Sequence, residues 1–205
     1  MLAAFLPIRG RIVVVIGGGS VGRRRAALCL AQGADVAVID PVVPEDSPFV
    51  WRRRTWVVGD IERAFLVFAC VSTVENAKIV DACRTAKVLV SSSDSESPGD
   101  IVLPAVVERG PLQIAISTGG TSPSLARRLR ERLETDFDPT WTDYVYLLGR
   151  MRSHVLTHVA DAERRTAILR QFSEGAWLDV VRSQGAEMAE ILMRATIDET
   201  SPPAE

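Results

Sequence analysis

The stretch RIVVVIGGGSVGRRRAALCLAQGADVAVID, Arg11 to Asp40, constrains the fold more than any other part of the chain. Its apolar, β-branched opening from Arg11 to Ile16 has the character of a strand buried on both faces, and Gly17 to Gly22 ends it. The spacing predicts a helix from about Val21 to Gln32, capped at its C-terminus by Gly33. DVAVID, Asp35 to Asp40, predicts a second strand stopped by Pro41. Gly17, Gly19 and Gly22 satisfy GxGxxG in the context that gives the pattern meaning, a strand before and a helix after. The first glycine permits a tight turn, the second lets a pyrophosphate approach the backbone, and the third lets helix and strand pack closely. Gly17, Gly19, Ser20, Val21 and Gly22 are therefore candidate cofactor-binding residues, placed where a helix N-terminus offers amide donors and partial positive charge. Asp40, ending the second strand, is placed to accept hydrogen bonds from an adenosine ribose, which favours NAD over NADP because a 2′-phosphate would be repelled. Arg23, Arg24 and Arg25 have no assigned role; they suit either a phosphate or a solvated helix face.

Further strands are predicted at Thr55 to Val58, Leu66 to Ala69 and Val88 to Ser91, and a helix over Val74 to Ala86 with Ile79, Val80 and Cys83 on one side. Strands alternating with helices over the first 90 residues imply an α/β fold with a Rossmann-type, doubly wound parallel sheet. Two β-rich runs follow, Ile101 to Val107 and Leu112 to Ser117, separated by ERGP. From Pro123 onward almost everything reads as helix, interrupted at Pro139 and Gly175, and SPPAE reads as a frayed tail. The expected organisation is a nucleotide domain over residues 1–112, a β/α dimerisation and substrate segment over 113–142, and a helical C-terminal domain over 143–205.

With 205 residues, 47% of them hydrophobic, the chain can bury a substantial core. A net charge of −2 gives no argument for nucleic-acid binding. No apolar run approaches the roughly 20 residues that span a bilayer, and MLAAFLPIRGRI is too short and wrongly flanked for a secretory signal. Cys29, Cys70 and Cys83 lie in apolar patterns without metal-ligand spacing, as buried free thiols do in a reducing compartment. A cytoplasmic protein without membrane or nucleic-acid partners is expected.

A second constellation lies between residues 91 and 133. Asp94 follows a predicted parallel strand, on the sheet edge where ligands of such folds sit, with a turn-capping role as its alternative. ISTGGTSP sets Gly119 and Gly120 among the hydroxyls of Ser117, Thr118, Thr121 and Ser122, with Ser122 as N-cap and Pro123 as first residue of a helix. Backbone amides and hydroxyls gathered at a helix start, followed by Arg127 and Arg128, suit a carboxylate-bearing ligand, although Glu131 and Glu134 also fit a solvated, charge-balanced face. His154 and His158, four apart with Asp161 three beyond, share a helical face, but no third ligand is required by the pattern and no metal is assigned.

VVVIGGGSVGRRRA followed at this distance by ISTGGTSPSLARRLRERLE strongly resembles the precorrin-2 dehydrogenase family, which includes the N-terminal module of siroheme synthases. The resemblance covers residues 1 to about 150 with its motifs in order, and GGTSP before a basic helix is the specific one. It implies oxidation of precorrin-2 to sirohydrochlorin with NAD, ferrous-iron insertion as a further activity of some members, a homodimer formed through the middle segment, and a role in the chemistry for Asp94. It also places Cys70 and Val71 beside the cofactor. Here the chain departs from the family, having Cys70, Val71 and Ser72, then Asn76, where many members carry a Thr-Asp-Asp type segment. With no methyltransferase module following, a stand-alone form is implied. The alternative function is a non-catalytic module that binds NAD or a tetrapyrrole. A dehydrogenase of small substrates fits less well, since no Lys/His or Ser/Tyr/Lys set follows the nucleotide domain.

Overall fold

The structure, a computed structural model, describes residues 2–42, 49–94 and 96–199. It divides into two compact units, residues 1–103 and 104–205.

In the first unit β1 (Ile12–Ile16), β2 (Asp35–Ile39), β3 (Val50–Arg52), β4 (Leu66–Ala69) and β5 (Leu89–Ser92) form one parallel sheet in the order β3-β2-β1-β4-β5. Strand order reverses between β1 and β4, which opens a crevice at the carboxyl ends of those two strands. Alternation along β1 divides the core. Val13 and Val15 pack with Ala26 and Cys29 of α1 (Ser20–Ala31), whereas Val14 and Ile16 pack with Ile79, Val80 and Cys83 of α2 (Thr73–Ala86). Both faces of the sheet are thus covered, which is why these strands read as unbroken apolar runs rather than alternating ones. Burial pushes the Cys29 and Cys83 thiols up to about 11 and about 12, so both stay protonated and inert.

Two of the expected elements differ. The apolar segment Thr55 to Val58 is not a strand; it leads into a 3-10 turn, Val58–Asp60, while the strand pairing with β2 is the three-residue β3 upstream. Asp60 decides this locally, since its carboxylate accepts the Val57 N–H at 2.9 Å and so satisfies the backbone by a turn rather than a ladder. The run expected from Ile101 begins its strand only at Ala105. The Asp100 and Ile101 N–H groups instead both donate to the Val90 carbonyl, at 2.7 and 3.0 Å.

The second unit opens with the antiparallel hairpin β6 (Ala105–Arg109) and β7 (Leu112–Ile116), against which α3 (Pro123–Asp136) packs. Because β6 pairs with β7, the unit boundary falls at 103/104 rather than after residue 112. The rest is helical: α4 (Thr140–His158), α5 (Ala162–Phe172) and α6 (Gly175–Glu199), the last interrupted at Gly185, whose φ of 86° lies outside helical geometry. Tyr144, Leu147, Met151 and Val155 of α4 repeat every three or four residues and are buried against α5 and α6. The Tyr144 hydroxyl donates to the Phe172 carbonyl at 2.7 Å, so its burial leaves no polar atom unpaired. The SPPAE tail lies outside the described residues.

Candidate functional site

The glycine turn is shaped by close backbone approach. Gly17 has φ 104°, and a β-carbon there would overlap the Cys70 carbonyl at the end of β4. A β-carbon on Gly22 would overlap the Gly17 carbonyl, so this glycine seats α1 against the turn. Gly19 is different: space is open above it. It is also the N-cap of α1, with no side-chain cap and no acidic residue in the first turn. Free amides, positive helix polarity and open space are what a pyrophosphate needs. Ser20 and Val21 open that helix, Arg23 and Arg24 point to solvent, and Arg25 is half-buried.

Asp40 ties the turn to β2. The Gly18 N–H donates to its Oδ2 at 2.6 Å and the Val42 N–H to its Oδ1 at 2.8 Å, while Trp51 Nε1–H donates to the Asp40 carbonyl at 3.2 Å. A carboxylate oxygen has two lone pairs, so both oxygens retain capacity toward a ribose. Beside Asp40 lies a cavity of about 400 Å³ at the ends of β1 and β2, lined by Ile16, Ile39, Arg54, Trp56, Val71 and Glu75 among others. The Trp56 indole is held by its Nε1–H donating to Glu75 Oε2 at 3.3 Å. An apolar cavity opening beside the Asp40 carboxylate and an uncapped helix fits an adenine nucleotide.

The departing segment Cys70 to Ser72 is organised by Asn76. Its buried carboxamide accepts the Val71 N–H at 3.0 Å, donates to the Val71 carbonyl at 3.4 Å, and reaches Ser93 Oγ at 3.5 Å. Val71 thus lines the cavity, and the Cys70 carbonyl forms the floor beneath Gly17. Burial raises the Cys70 thiol above its ordinary value.

Asp94 sits two residues past β5, on the same carboxyl edge of the sheet. Its Oδ1 accepts the Glu96 N–H at 2.9 Å, the turn-capping role. Its Oδ2 is buried and has no hydrogen-bond partner among the described residues. A native carboxylate oxygen left unpaired in a half-buried position is costly, and such groups gather at reactive sites. The turn-capping role of Asp94 is therefore seen on Oδ1.

The GGTSP turn lies in the second unit. Thr118 Oγ1 accepts the Ser122 N–H at 3.1 Å and donates to the Ser122 carbonyl at 3.0 Å, Ser117 Oγ accepts the Gly119 N–H at 3.1 Å, and Ser122 Oγ caps α3 through the Leu125 N–H at 3.3 Å. Gly119 and Gly120 have φ of 63° and 84°, which explains glycine at both positions. These hydroxyls are spent within the turn, leaving Gly119, Gly120 and Thr121 exposed at its tip. On α3, Arg127 pairs with Glu131 at 2.8 Å and Arg130 with Glu134 at 3.5 Å, the solvated pattern; no ion pair involves Arg128 among the described residues. The His154 and His158 rings stack, centroids 4.1 Å apart, and Arg194 Nη1 lies 3.1 Å from His154 Nδ1.

Sequence reasoning missed Trp51, Arg54, Trp56 and Asp60, all in or behind the cavity wall. Three of them lie in the stretch WRRRTW, and only the fold shows which of its residues face the crevice.

The sheet order, glycine turn and cavity define a nucleotide-binding protein of the Rossmann class, and residues 4–105 match the NAD(P)-binding family. Residues 109–135 match the family described as sirohaem biosynthesis protein, central. Precorrin-2 dehydrogenase from Priestia megaterium is 31% identical over 191 residues, covering 83% of this chain and 95% of that protein. A siroheme synthase from Hydrogenovibrio crunogenus is 29% identical over 96% of this chain, and the chain spans 44% of that longer protein's length. The solved structure of SirC, precorrin-2 dehydrogenase, superposes with a TM-score of 0.76 and 25% identity, covering 97% of this chain and 100% of that one. The chain belongs to the precorrin-2 dehydrogenase and siroheme synthase family, and its nucleotide unit is of the NAD(P)-binding kind.

Proposed function

We propose that this protein removes a hydride and a proton from precorrin-2, giving sirohydrochlorin, in siroheme biosynthesis. The observation that carries the reading is Asp94 Oδ2, a buried carboxylate oxygen on the carboxyl edge of the sheet without a partner among the described residues. The likeness to precorrin-2 dehydrogenases along nearly their whole length supports it.

Bound NAD⁺ supplies the hydride acceptor. The amides at the start of α1 hold its pyrophosphate, Asp40 its adenosine ribose, and the cavity by Trp56 and Val71 its adenine side. Asp94 Oδ2 takes the proton that leaves with the hydride; its Oδ1, fixed by the Glu96 N–H, keeps the carboxylate oriented. Exposed Arg128, the Gly120 amide and the Thr121 hydroxyl at the tip bind substrate carboxylates, while Ser117, Thr118, Gly119, Ser122 and Arg127 serve by shaping the turn and helix that present them. We further assign a homodimer built through β6, β7 and α3, where Val106, Leu125 and Leu129 are exposed apolar side chains, and a cytoplasmic location suited to its reduced thiols. No described helix is long and apolar enough to cross a membrane.

Incubating the purified chain with NAD⁺ and enzymatically generated precorrin-2 tests the activity. The sirohydrochlorin spectrum should develop faster than by spontaneous oxidation, and adding ferrous iron afterwards shows whether siroheme forms. Binding of NAD⁺ or tetrapyrrole without turnover would support the non-catalytic alternative.

A further inference from the structure

The nucleotide cavity holds a charge arrangement that Asp40 alone does not explain. Arg54 lines the cavity together with Asp40. A guanidinium there is what an NADP site uses to take a 2′-phosphate. Yet Arg54 is committed elsewhere. Its Nη1 donates to Asp60 Oδ2 at 2.7 Å and its Nη2 to Asp60 Oδ1 at 2.6 Å, a two-pronged pair. Arg52 Nη1 donates to the same Oδ1 at 2.7 Å, and the Val57 N–H to Oδ2 at 2.9 Å. The Asp60 side chain is only 2% exposed, while those of Arg52 and Arg54 are 48% and 42% exposed. One buried carboxylate therefore anchors two half-exposed guanidiniums from behind.

We propose that Asp60 is a specificity-determining residue of the cofactor site: by holding Arg52 and Arg54 it withholds their charge from the ribose end of the cavity, so that the pocket takes NAD and not NADP. The inference rests on the dinucleotide-binding reading of this cavity. With Asp40 and Asp60 set against Arg52 and Arg54, the charges of these four residues balance. An incoming 2′-phosphate dianion meets the Asp40 carboxylate, while Arg54, the one cation among the described lining residues of the cavity, is already paired with Asp60. An uncharged ribose hydroxyl needs none. An asparagine at position 60 would keep the size and one acceptor oxygen but turn an NH₂ group toward the guanidiniums, releasing Arg54 toward the cavity.

Calorimetric titration of NAD⁺ and NADP⁺ into the wild type, Asp60→Asn, Arg54→Met and the double variant tests this. Asp60→Asn should lower the preference for NAD by at least about tenfold, by gaining NADP affinity. The double variant should lose that gain. Arg54→Met alone should leave the ratio of the two affinities within about twofold of wild type, since the wild-type guanidinium is already spent. A folded Asp60→Asn with an unchanged ratio would overturn the proposal, as would a gain that survives loss of Arg54. Should Asp60→Asn not fold, Arg54→Met decides: a fall of about tenfold or more in NADP affinity relative to NAD would show that Arg54 already serves the phosphate. Failure of the wild type to bind either nucleotide would remove the cofactor reading itself, a result distinct from binding without the predicted change in ratio.

Discussion

Asn76 grips the Val71 peptide from both sides, accepting its N–H at 3.0 Å and donating to its carbonyl at 3.4 Å. This pairing holds the turn after β4 under the glycine loop, in the one segment where the chain departs from the family pattern. Asn76→Ala would leave the Val71 N–H without its partner, costing about 1–3 kcal/mol. Thermal unfolding of the variant should show a midpoint lower by several degrees, with NAD⁺ affinity reduced as well. An unchanged midpoint would show that water replaces the carboxamide.

The two inner glycines should separate folding from binding. A β-carbon on Gly22 meets the Gly17 carbonyl, whereas one on Gly19 meets open space at a φ of −65° that alanine accepts. Gly22→Ala should lower both thermal stability and NAD⁺ affinity. Gly19→Ala should leave stability close to wild type and weaken NAD⁺ binding about tenfold or more by obstructing the pyrophosphate. Calorimetry alongside circular dichroism distinguishes the two; full NAD⁺ affinity in Gly19→Ala would place the phosphates elsewhere.

Asp60 should make the first unit acid-sensitive. The Arg54 hydrogen bonds lead in holding its carboxyl from an ordinary 3.8 down to about 2. A carboxyl lowered in the folded state stabilises the fold above its unfolded value, and the contribution drains away as pH falls from about 4 toward about 2. The shift corresponds to about 2 kcal/mol. Urea titrations over this range should show wild-type stability declining more steeply than that of Asp60→Asn. Parallel declines would mean the ion pairs contribute nothing to folding.

Self-association should depend on the exposed apolar side chains of α3. Leu125→Glu should shift the sedimentation coefficient from dimer toward monomer while leaving the circular dichroism spectrum in place. A wild type that sediments as a monomer at micromolar concentration, or a variant that remains dimeric, would exclude this face.

The nucleotide unit was legible where one physical constraint fixes a residue type. Val13 to Ile16 must be apolar on both faces, Gly17 and Gly22 must lack a β-carbon, and Leu66–Ala69 is the predicted strand residue for residue. β3 escaped notice because a three-residue edge strand carries too little periodicity, and Thr55 to Val58 misled because its apolar residues favour a strand until Asp60 claims the Val57 N–H. The place of Asp94 just past the last parallel strand was legible by position; that one oxygen caps a turn while the other has no partner among the described residues follows only from the folded chain. The hydroxyls of Ser117, Thr118 and Ser122 pointed to a ligand, and the structure shows them bonding within their own turn, a pairing that sequence cannot distinguish from ligand binding.

The most direct test of the central claim is the rate of NAD⁺-dependent sirohydrochlorin formation by Asp94→Asn, measured with the affinity for NAD⁺. An asparagine keeps the oxygen that caps the Glu96 turn and removes the proton acceptor, so the rate should fall by about 10²- to 10⁴-fold while NAD⁺ affinity stays near wild type. A variant that oxidises precorrin-2 at the wild-type rate would contradict the assignment of Asp94 as the base.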